Sequence, residues 1–450
     1  MERTGKMQVD FLNGSILPAL TRFAIPVLIS LIFQQLYNTV DTVIIGRTLG
    51  ETSMAAMGSA SAVYDLFLGF TNGVGSGLAI VTARSFGAQD EHLLKKTTAA
   101  ALVISVVTSV VMTILASLSL KPFLVVLKTP AEVIDQSYAY VSTIVLFFIV
   151  TLAYNLCSGL MRAVGNSIIP LVCLMVASVC NIGLDLLFIV VFDMGVRGAA
   201  VATVIAQLIS VVLCITYILK KVPLLIPKKE HFAFDGGLYS EMIAQGISMG
   251  LMTCIVNSGT AILQSAINGL GYLVVAGHVA ARKVFSLVMT FCNAFMQAVN
   301  MFVSQNFGAN NRKRIIKGMK IAYTFSVILH LTLGVIMLFA APYLISFVSG
   351  SAEEIIINNG SIYLKVAVPC MSILGILNCT RSALQAIGKK ILPIMSSVIE
   401  LIGKILFVIF LIPHFGYAAV IVCEPIIWLF MDIELVLAFW LNPYIRGEEP

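Results

Sequence analysis

The chain has 450 residues, of which 59% are hydrophobic and only 11% are charged, and its mean hydropathy is +0.99. These values exclude a soluble globular domain, because apolar runs long enough to cross a bilayer recur from one end of the chain to the other. The net charge of +6 does not indicate a nucleic-acid partner, since most basic residues stand in short segments between the apolar runs, where they orient the protein. The sequence therefore predicts an all-α integral membrane protein.

Twelve transmembrane helices are predicted from the apolar runs between polar breaks. They cover residues 16-45, 54-83, 97-119, 136-160, 168-192, 198-219, 241-269, 274-304, 316-347, 359-386, 391-412 and 416-440. If the N-terminus is cytoplasmic, only five basic residues fall in the outer segments, namely Arg47, Lys121, Lys128, Arg197 and Lys365. The positive-inside rule then predicts a plasma-membrane protein with both termini in the cytoplasm. The first apolar run lacks a cleavage site, so we expect a retained helix and not a signal peptide.

The two halves of the chain resemble each other. Several residues recur 221 to 223 positions later, among them Leu49-Gly50, Asn72, Tyr140, Asn155 and Pro170. We therefore expect an N-terminal lobe over 1-219, a basic cytoplasmic linker over 220-237 and a C-terminal lobe over 238-450. Because each lobe has six helices, both keep the same orientation, and an axis along the membrane normal should relate them across a central cleft. This organisation is typical of transporters.

Asp41 and Asp185 fall inside predicted spans of the first lobe, where a charge costs roughly 2.5 to 3.5 kcal/mol. Helical spacing places each on a polar face, made of Gln34, Tyr37, Asn38 and Asp41 on helix one and of Ser178, Asn181 and Asp185 on helix five. At about 1.5 Å per residue, Asp41, Asp185 and Thr203 of helix six lie at similar depths, roughly 9 to 12 Å from the outer loops. We predict that Asp41, Asn181, Asp185 and Thr203 bind a coupling cation, H⁺ or Na⁺, and that no other cofactor is needed. The alternative is that these groups only hydrogen-bond between helices.

Other intramembrane residues are open to two interpretations. Glu400 and Lys404 stand four apart on helix eleven and can neutralise each other, which favours a structural role. Arg282 either pairs with an acid or faces the cleft. Pro26 removes a backbone hydrogen bond from helix one, so it forms either a fixed bend or a hinge that responds to the charge on Asp41. The glycines of NGVGSGLAI superficially match a dinucleotide fingerprint, but in a membrane helix they are expected to allow close packing.

Four segments carry a resemblance to a known family. They are PVLISLIFQQLYNTVDTVIIGRTLG, the ARSFGAQ and SQNFGAN ends of helices two and eight, and LMRAVGNSIIP, and they resemble the multidrug and toxic compound extrusion (MATE) family. The resemblance implies two six-helix bundles, alternating access, and export of organic cations against an inward flow of Na⁺ or H⁺. It also implies coupling at Asp41, Asn181, Asp185 and Thr203, support from Gln34, Tyr37, Tyr140 and Asn155, and bending at Pro26. Helix seven has no carboxylate after Glu241, so a coupling site in the second lobe is not expected.

The sequence thus predicts a cation-coupled efflux antiporter and not an enzyme. We expect a monomer in a lipid bilayer whose substrates are small, hydrophobic organic cations. The alternative is a flippase for lipid-linked precursors, which would need a basic cleft, and only Arg282, Lys283 and Lys404 are candidates for it. A channel or a non-transporting receptor is disfavoured by the internal repeat together with the buried acids.

Overall fold

The computed structural model describes residues 7–126, 129 and 131–448. Within that part of the chain the regular elements are helices, and no strand occurs. The prediction of an all-α membrane protein is confirmed. Lys128, one of the five basic residues assigned to the outer side, lies outside the described residues.

Twelve long helices follow one another in the described residues, in the order predicted. Their bounds are α1 Ile16–Gly50, α2 Tyr64–Gly87, α3 Glu91–Val126, α4 in two segments Ala131–Leu146 and Phe148–Ala163, α5 Ile168–Val191, α6 Gly195–Lys221, α7 Gly236–Asn268, α8 Tyr272–Gly308, α9 Arg312–Ser349, α10 Glu354–Ala386, α11 Ile391–Phe415 and α12 Tyr417–Trp440. A short helix α13, Pro443–Arg446, follows. The backbone between Gly50 and Tyr64 is also helical.

The helices are long enough to cross a membrane. Ten of those in the described residues pass on length and hydropathy alone, and the two segments of α4, bent by 54° against each other, pass as a pair. Helix α12 completes the twelve but carries three carboxylates, Glu424, Asp432 and Glu434, in its 24 residues. Most helices extend beyond the predicted spans. Helix α8, for example, has 37 residues, which corresponds to about 55 Å against a hydrocarbon core of about 30 Å.

The described residues form two compact units. The first comprises residues 7–10 together with Ile25–Gly250, and the second comprises Phe11–Ala24 together with residues 251–448. The first turns of α1 therefore pack within the second unit, while the first half of α7 packs within the first. This division describes packing, and the assignment of 1-219 and 238-450 as functional lobes stays a prediction.

The internal repeat is visible in the backbone. Positive φ values occur at glycines in equivalent places of the two halves, with φ of 83° and 98° at Gly50 and Gly271, 85° and 86° at Gly165 and Gly388, and 58° and 56° at Gly195 and Gly416. Each of these glycines stands at a helix boundary, where the left-handed conformation is cheap only without a side chain. Helices α5 and α11 both widen into a π-helical turn, at Leu186–Val191 and Phe407–Leu411. Two copies of one unit therefore share local geometry as well as residues.

Close packing between α2 and α7 explains the glycines of the NGVGSG segment. A Cβ atom on Gly73 would lie 2.6 Å from the backbone nitrogen of Gly250, and one on Gly77 would lie 2.7 Å from the carbonyl oxygen of Gln245. Neither position has room for a side chain. At the ends of the same two helices Arg84 forms an ion pair with Glu241, at 2.5 Å. These glycines thus serve helix contact, as expected from the sequence.

The predicted linker, residues 220-237, is ordered and docked within the first unit. It contains two 3-10 turns, Pro223–Leu225 and Lys229–Phe232. Asp235 accepts a hydrogen bond from Lys96 at the start of α3, with 2.8 Å between Nζ and Oδ2. This bond from the ammonium group, together with bonds from backbone amides, lowers the pKa of the Asp235 carboxyl. The linker is therefore attached to the helix bundle by charge as well as by chain connectivity.

Candidate functional site

Two buried carboxyl groups meet in the first unit, one from α1 and one from α5. Asp41 is 6% exposed and Asp185 is 0% exposed. The two carboxyl groups lie close enough to interact with each other. Residues 144 positions apart (185 − 41) are thus brought together by packing. Two carboxylates at this range in an apolar medium cannot both stay charged cheaply unless a cation or a proton joins them.

Asn181 and Thr203 belong to the same unit as the acid pair. Both are buried, and both line a cavity of about 40 Å³ in the first unit. The cavity is also lined by Gln34, Tyr37, Tyr154, Leu174, Ala177, Ser178, Ala206, Gln207 and Ser210. A space of this size holds a water molecule or a small ion but not a drug-sized molecule. The structure therefore brings Asn181 and Thr203 to one cavity, whereas Asp41 and Asp185 are not among its lining residues, and a common coupling site of the four stays a prediction.

Six buried polar atoms of these four residues have no protein partner among the described residues. Within the described residues no hydrogen bond reaches Oδ1 of Asp41, either carboxyl oxygen of Asp185, either amide atom of Asn181 or the hydroxyl of Thr203. Buried polar groups are normally paired, because an unpaired one costs about 1 to 3 kcal/mol. Helix packing alone does not account for such a set. Carboxylate, amide and hydroxyl oxygens are the ligands that hard cations prefer, and a carboxylate pair also shares a proton readily.

The local fold widens immediately after Asp185. The π-helical turn begins at Leu186, and the amide of Phe192 donates to the carbonyl oxygen of Leu187 at 3.0 Å. A π-helical turn inserts an extra residue into the helix and is frequent at functional sites. On the same helix a Cβ on Gly183 would meet no atom within 4 Å. Gly183 is exposed, so the π-helical turn is the feature that distinguishes the segment next to Asp185.

The predicted supporting residues divide into two groups. Gln34 and Tyr37 line the cavity, whereas Asn38 lies on the exposed surface of α1. Tyr140 is buried, and its ring packs edge-on against Tyr64 with 6.3 Å between centroids.

A second contact holds α2 against α4. Asn155 donates from Nδ2 to Oδ1 of Asn72 at 2.6 Å. Neither Tyr140 nor Asn155 is among the residues that line the 40 Å³ cavity, but the Tyr140 hydroxyl lies within electrostatic range of Asp41 and Asp185. These two residues thus support the walls around the site.

Pro26 stands near the start of α1, two residues after the segment Phe11–Ala24 that packs within the second unit. The helix continues through it, and the Ser30 hydroxyl donates to its carbonyl oxygen at 2.8 Å. This bond satisfies a carbonyl close to the point where proline interrupts the ladder. The hinge role of Pro26 stays a prediction.

The second unit contains a network of four charged residues, one of which the sequence reasoning overlooked. Arg282 pairs with Glu424 at 2.9 Å, and Lys404 pairs with Glu400 at 2.9 Å and with Glu424 at 3.6 Å. The Tyr363 hydroxyl donates to Glu424 at 3.2 Å. Arg282 therefore pairs with an acid, which decides between the two interpretations, and Glu400 and Lys404 form the expected contact.

A sequence signal for Glu424 existed. The alignment of Gly195 with Gly416, 221 residues later, also aligns Thr203 with Glu424, and Asn181 aligns with Lys404 at an offset of 223. Two positions of the first unit's polar site thus carry opposite, mutually paired charges in the second. Asp65 on α2 was also overlooked, although it lies inside a predicted span.

A twelve-helix fold built from two repeats, with buried acids that lack a cationic partner among the described residues of one of them, defines a membrane transporter. The MatE family model matches residues 26–187 and again 248–410, and the chain belongs to this family. The two matches are offset by 222 residues (248 − 26), which agrees with the repeat found in the sequence.

Curated relatives are similar over most of the chain. The probable multidrug resistance protein YpnP of Bacillus subtilis (strain 168) is 28% identical over 308 residues, 68% of each chain. The probable multidrug resistance protein YoeA of the same organism is 24% identical over 408 residues, 89% of this chain and 88% of the relative.

Solved structures share the fold. A structure described as MATE in the bent conformation superposes with a TM-score of 0.89 at 19% identity, over 99% of this chain and 98% of the other. An outward-facing multidrug resistance MATE transporter of the MOP superfamily superposes with a TM-score of 0.87 at 20% identity, over 99% of both chains. The predicted fold class is therefore confirmed.

Proposed function

We propose that this chain is a secondary active efflux transporter that exports organic cations in exchange for H⁺ or Na⁺. The similarity to relatives named multidrug resistance proteins supports efflux of varied compounds. The observation that carries the coupling role is the buried carboxyl pair of Asp41 and Asp185 with its unpaired oxygen atoms. We place the transporter in the plasma membrane with both termini in the cytoplasm, as the distribution of basic residues indicates.

The geometry suggests how coupling works. A proton or Na⁺ that enters from outside reduces the repulsion between Asp41 and Asp185, and Asn181 and Thr203 supply further oxygen ligands to Na⁺. Before the coupling ion enters, the pair carries excess negative charge that favours a bound organic cation. Occupancy of the pair removes that attraction. Helix α1 then shifts about Pro26, and the substrate leaves to the outside.

The flippase alternative is weakened by the ion pairs of the second unit. A lipid-linked diphosphate needs unpaired cations, yet Arg282 is engaged by Glu424 and Lys404 by two glutamates. Of the three candidate cations only Lys283 has no acidic partner among the described residues. One lysine is not a diphosphate site, so cation export is the better supported function.

The test is transport of a fluorescent organic cation by the purified protein in proteoliposomes, under an imposed Na⁺ gradient or pH gradient. We expect Asp41→Asn and Asp185→Asn to fold and insert but to lose most gradient-driven export, because asparagine keeps the hydrogen-bonding groups and removes the charge. Asp193→Asn is the matched control. Asp193 lies in the loop after α5 with φ of 52°, a conformation that asparagine tolerates.

Rates are normalised to folded protein in the membrane. If both variants export the cation at near-normal coupled rates, the pair only packs helices and the coupling mechanism is wrong. Comparison of the two gradients with the unaltered protein identifies the coupling ion directly.

A further inference from the structure

Helix α2 carries an exposed polar stripe that the coupling mechanism does not use. Asp65, Asn72 and Ser76 are exposed, and their spacing of i, i+7 and i+11 puts them on one face of the helix. Gly69, at i+4, continues the face between Asp65 and Asn72. The opposite face is buried, as Val74, Leu78 and other core residues show. The stripe is thus a surface of the first unit and not a part of its core.

Asp65 lies too deep for this surface to face lipid. In the structure the helical backbone runs from Gly50 through α2 to Gly87, so Asp65 lies 15 residues from one end and 22 from the other, or about 22 and 33 Å along the helix. A carboxylate that faces hydrocarbon at such depth is strongly disfavoured, and intramembrane acids normally face a partner or water. No cationic side chain lies within ion-pairing distance of Asp65 in the part of the chain that the structure describes. The stripe therefore borders water, and its charge is available to a ligand.

Aromatic rings accompany this carboxylate. Tyr64 precedes it and packs edge-on against Tyr140, and the Tyr140 hydroxyl lies within electrostatic range of Asp65. Tyr37 lies within range of both tyrosines. The face of an aromatic ring attracts a cation, and a carboxylate with nearby aromatic rings is the chemistry that recognises quaternary ammonium and similar lipophilic cations.

We propose that Asp65, with the half-buried Tyr64 that Tyr140 supports from behind, is the anionic anchor of the organic-cation binding surface in the first unit. The assignment rests on the proposed export of organic cations and names a residue that selects for their charge. Asp65 is separate from the coupling pair but electrostatically connected to it, since the Tyr64 hydroxyl lies within range of both Asp65 and Asp41. A cation bound at Asp65 and a cation bound at the coupling pair therefore repel each other electrostatically. Each lowers the binding affinity for the other, although the two share no ligand.

Binding to the purified full chain in detergent tests the proposal. Isothermal titration calorimetry compares tetraphenylphosphonium, a lipophilic cation, with triphenylphosphine oxide, a neutral molecule of similar shape. We expect Asp65→Asn to weaken tetraphenylphosphonium binding by about tenfold or more, as the loss of one partly screened charge pair implies, and to leave the neutral probe within about twofold. Asp65→Glu keeps the charge and should stay close to the unaltered protein. Asp135→Asn, at an exposed acid of α4, should change neither affinity.

The outcomes distinguish failure of the Asp65 anchor from failure of the proposed cation export. If the unaltered protein binds tetraphenylphosphonium and Asp65→Asn binds it equally well, the anchor is wrong while cation export stands. If the unaltered protein neither binds nor exports any cationic probe, the proposed function fails and the anchor fails with it. Equal losses for the cation and the neutral probe would indicate a structural role for Asp65 and would also refute the anchor.

A second measurement needs no variant and covers the case in which Asp65→Asn does not fold. A carbodiimide modifies accessible carboxyl groups, and mass spectrometry of peptides locates the modified residue. Tetraphenylphosphonium should protect Asp65 at least severalfold while leaving Asp135 modified. Equal modification of Asp65 with and without the cation would overturn the proposal.

Discussion

Replacement of Lys404 tests how the second unit tolerates four charges in its interior. The Lys404 ammonium lies 2.9 Å from Glu400 and 3.6 Å from Glu424, and all three side chains are buried. Lys404→Met removes the cation from both contacts and changes the net charge of the network from 0 to −1. Loss of one partner from a buried ion pair costs about 3 to 5 kcal/mol, because the remaining charge is left without compensation. We expect the free energy of unfolding of Lys404→Met to be lower than that of the unaltered protein by about this amount.

Two further variants test whether charge compensation causes this loss of stability. Glu400→Gln leaves Lys404 with Glu424, so we expect a smaller loss of about 1 to 3 kcal/mol. The double variant Glu400→Gln/Lys404→Met restores neutrality and keeps the Arg282–Glu424 pair, so it should be more stable than Lys404→Met alone and should retain most coupled transport. In a double-mutant cycle, the loss of stability in the double variant should be smaller than the sum of the two single losses by about 0.5 to 3 kcal/mol.

The assay is the free energy of unfolding in mixed micelles with an increasing mole fraction of dodecyl sulfate, followed by the transport assay on folded protein. A double variant less stable than Lys404→Met would show that the charges do not compensate each other. A double variant that folds and binds substrate but loses ion coupling would require a second ion site.

Two further predictions concern topology and packing. A single cysteine placed at Lys229 should react with a membrane-impermeant maleimide only after the membrane is opened, because the basic linker is expected in the cytoplasm; labelling from outside intact cells would contradict this. Gly77→Ala should destabilise the protein by about 1 to 3 kcal/mol, since the new Cβ would lie 2.7 Å from backbone atoms of α7. Gly58→Ala, where nothing lies within 4 Å, should be neutral or slightly stabilising in the same unfolding assay, and equal losses at both sites would refute the packing argument.

Much of the fold was predictable because the bilayer imposes simple rules on the chain. Apolar length located the helices, and the recurrence of residues 221 to 223 positions later located the two copies of the repeat. The helix ends were not predictable in this way, since hydropathy detects only the part of a helix that lies in hydrocarbon. Helix α8 illustrates this point, because it continues to Gly308, four residues past the predicted end of its span.

The site was predictable where neighbours on one helix carried the information. Asn181 and Asp185 share a face by spacing alone, and depth related them to Asp41. Glu424 was missed because its significance depends on Arg282, 142 residues away, and that contact is a product of tertiary packing. Asp65 was missed for a different reason. It stands at the beginning of the amphipathic stripe of α2, and its meaning depends on which face of that helix is exposed.

The two units balance their buried charges in different ways, and the difference bears on function. In the second unit Arg282, Lys404, Glu400 and Glu424 sum to zero, and each has a partner within 3.6 Å. In the first unit Asp41, Asp185 and Asp65 have no cationic partner among the described residues, so a balancing cation must come from solution.

An exchange mechanism follows from this imbalance. Two unit charges roughly 10 Å apart interact by about 1.7 kcal/mol at an effective dielectric constant of about 20, which corresponds to more than tenfold in affinity. Under the proposed function, entry of a coupling cation at Asp41 and Asp185 would therefore lower the affinity of the first unit for an organic cation at Asp65 even without contact between them. By linkage the organic cation lowers the affinity for the coupling ion equally. Alternating occupancy of one negative region by two kinds of cation is what an antiporter requires.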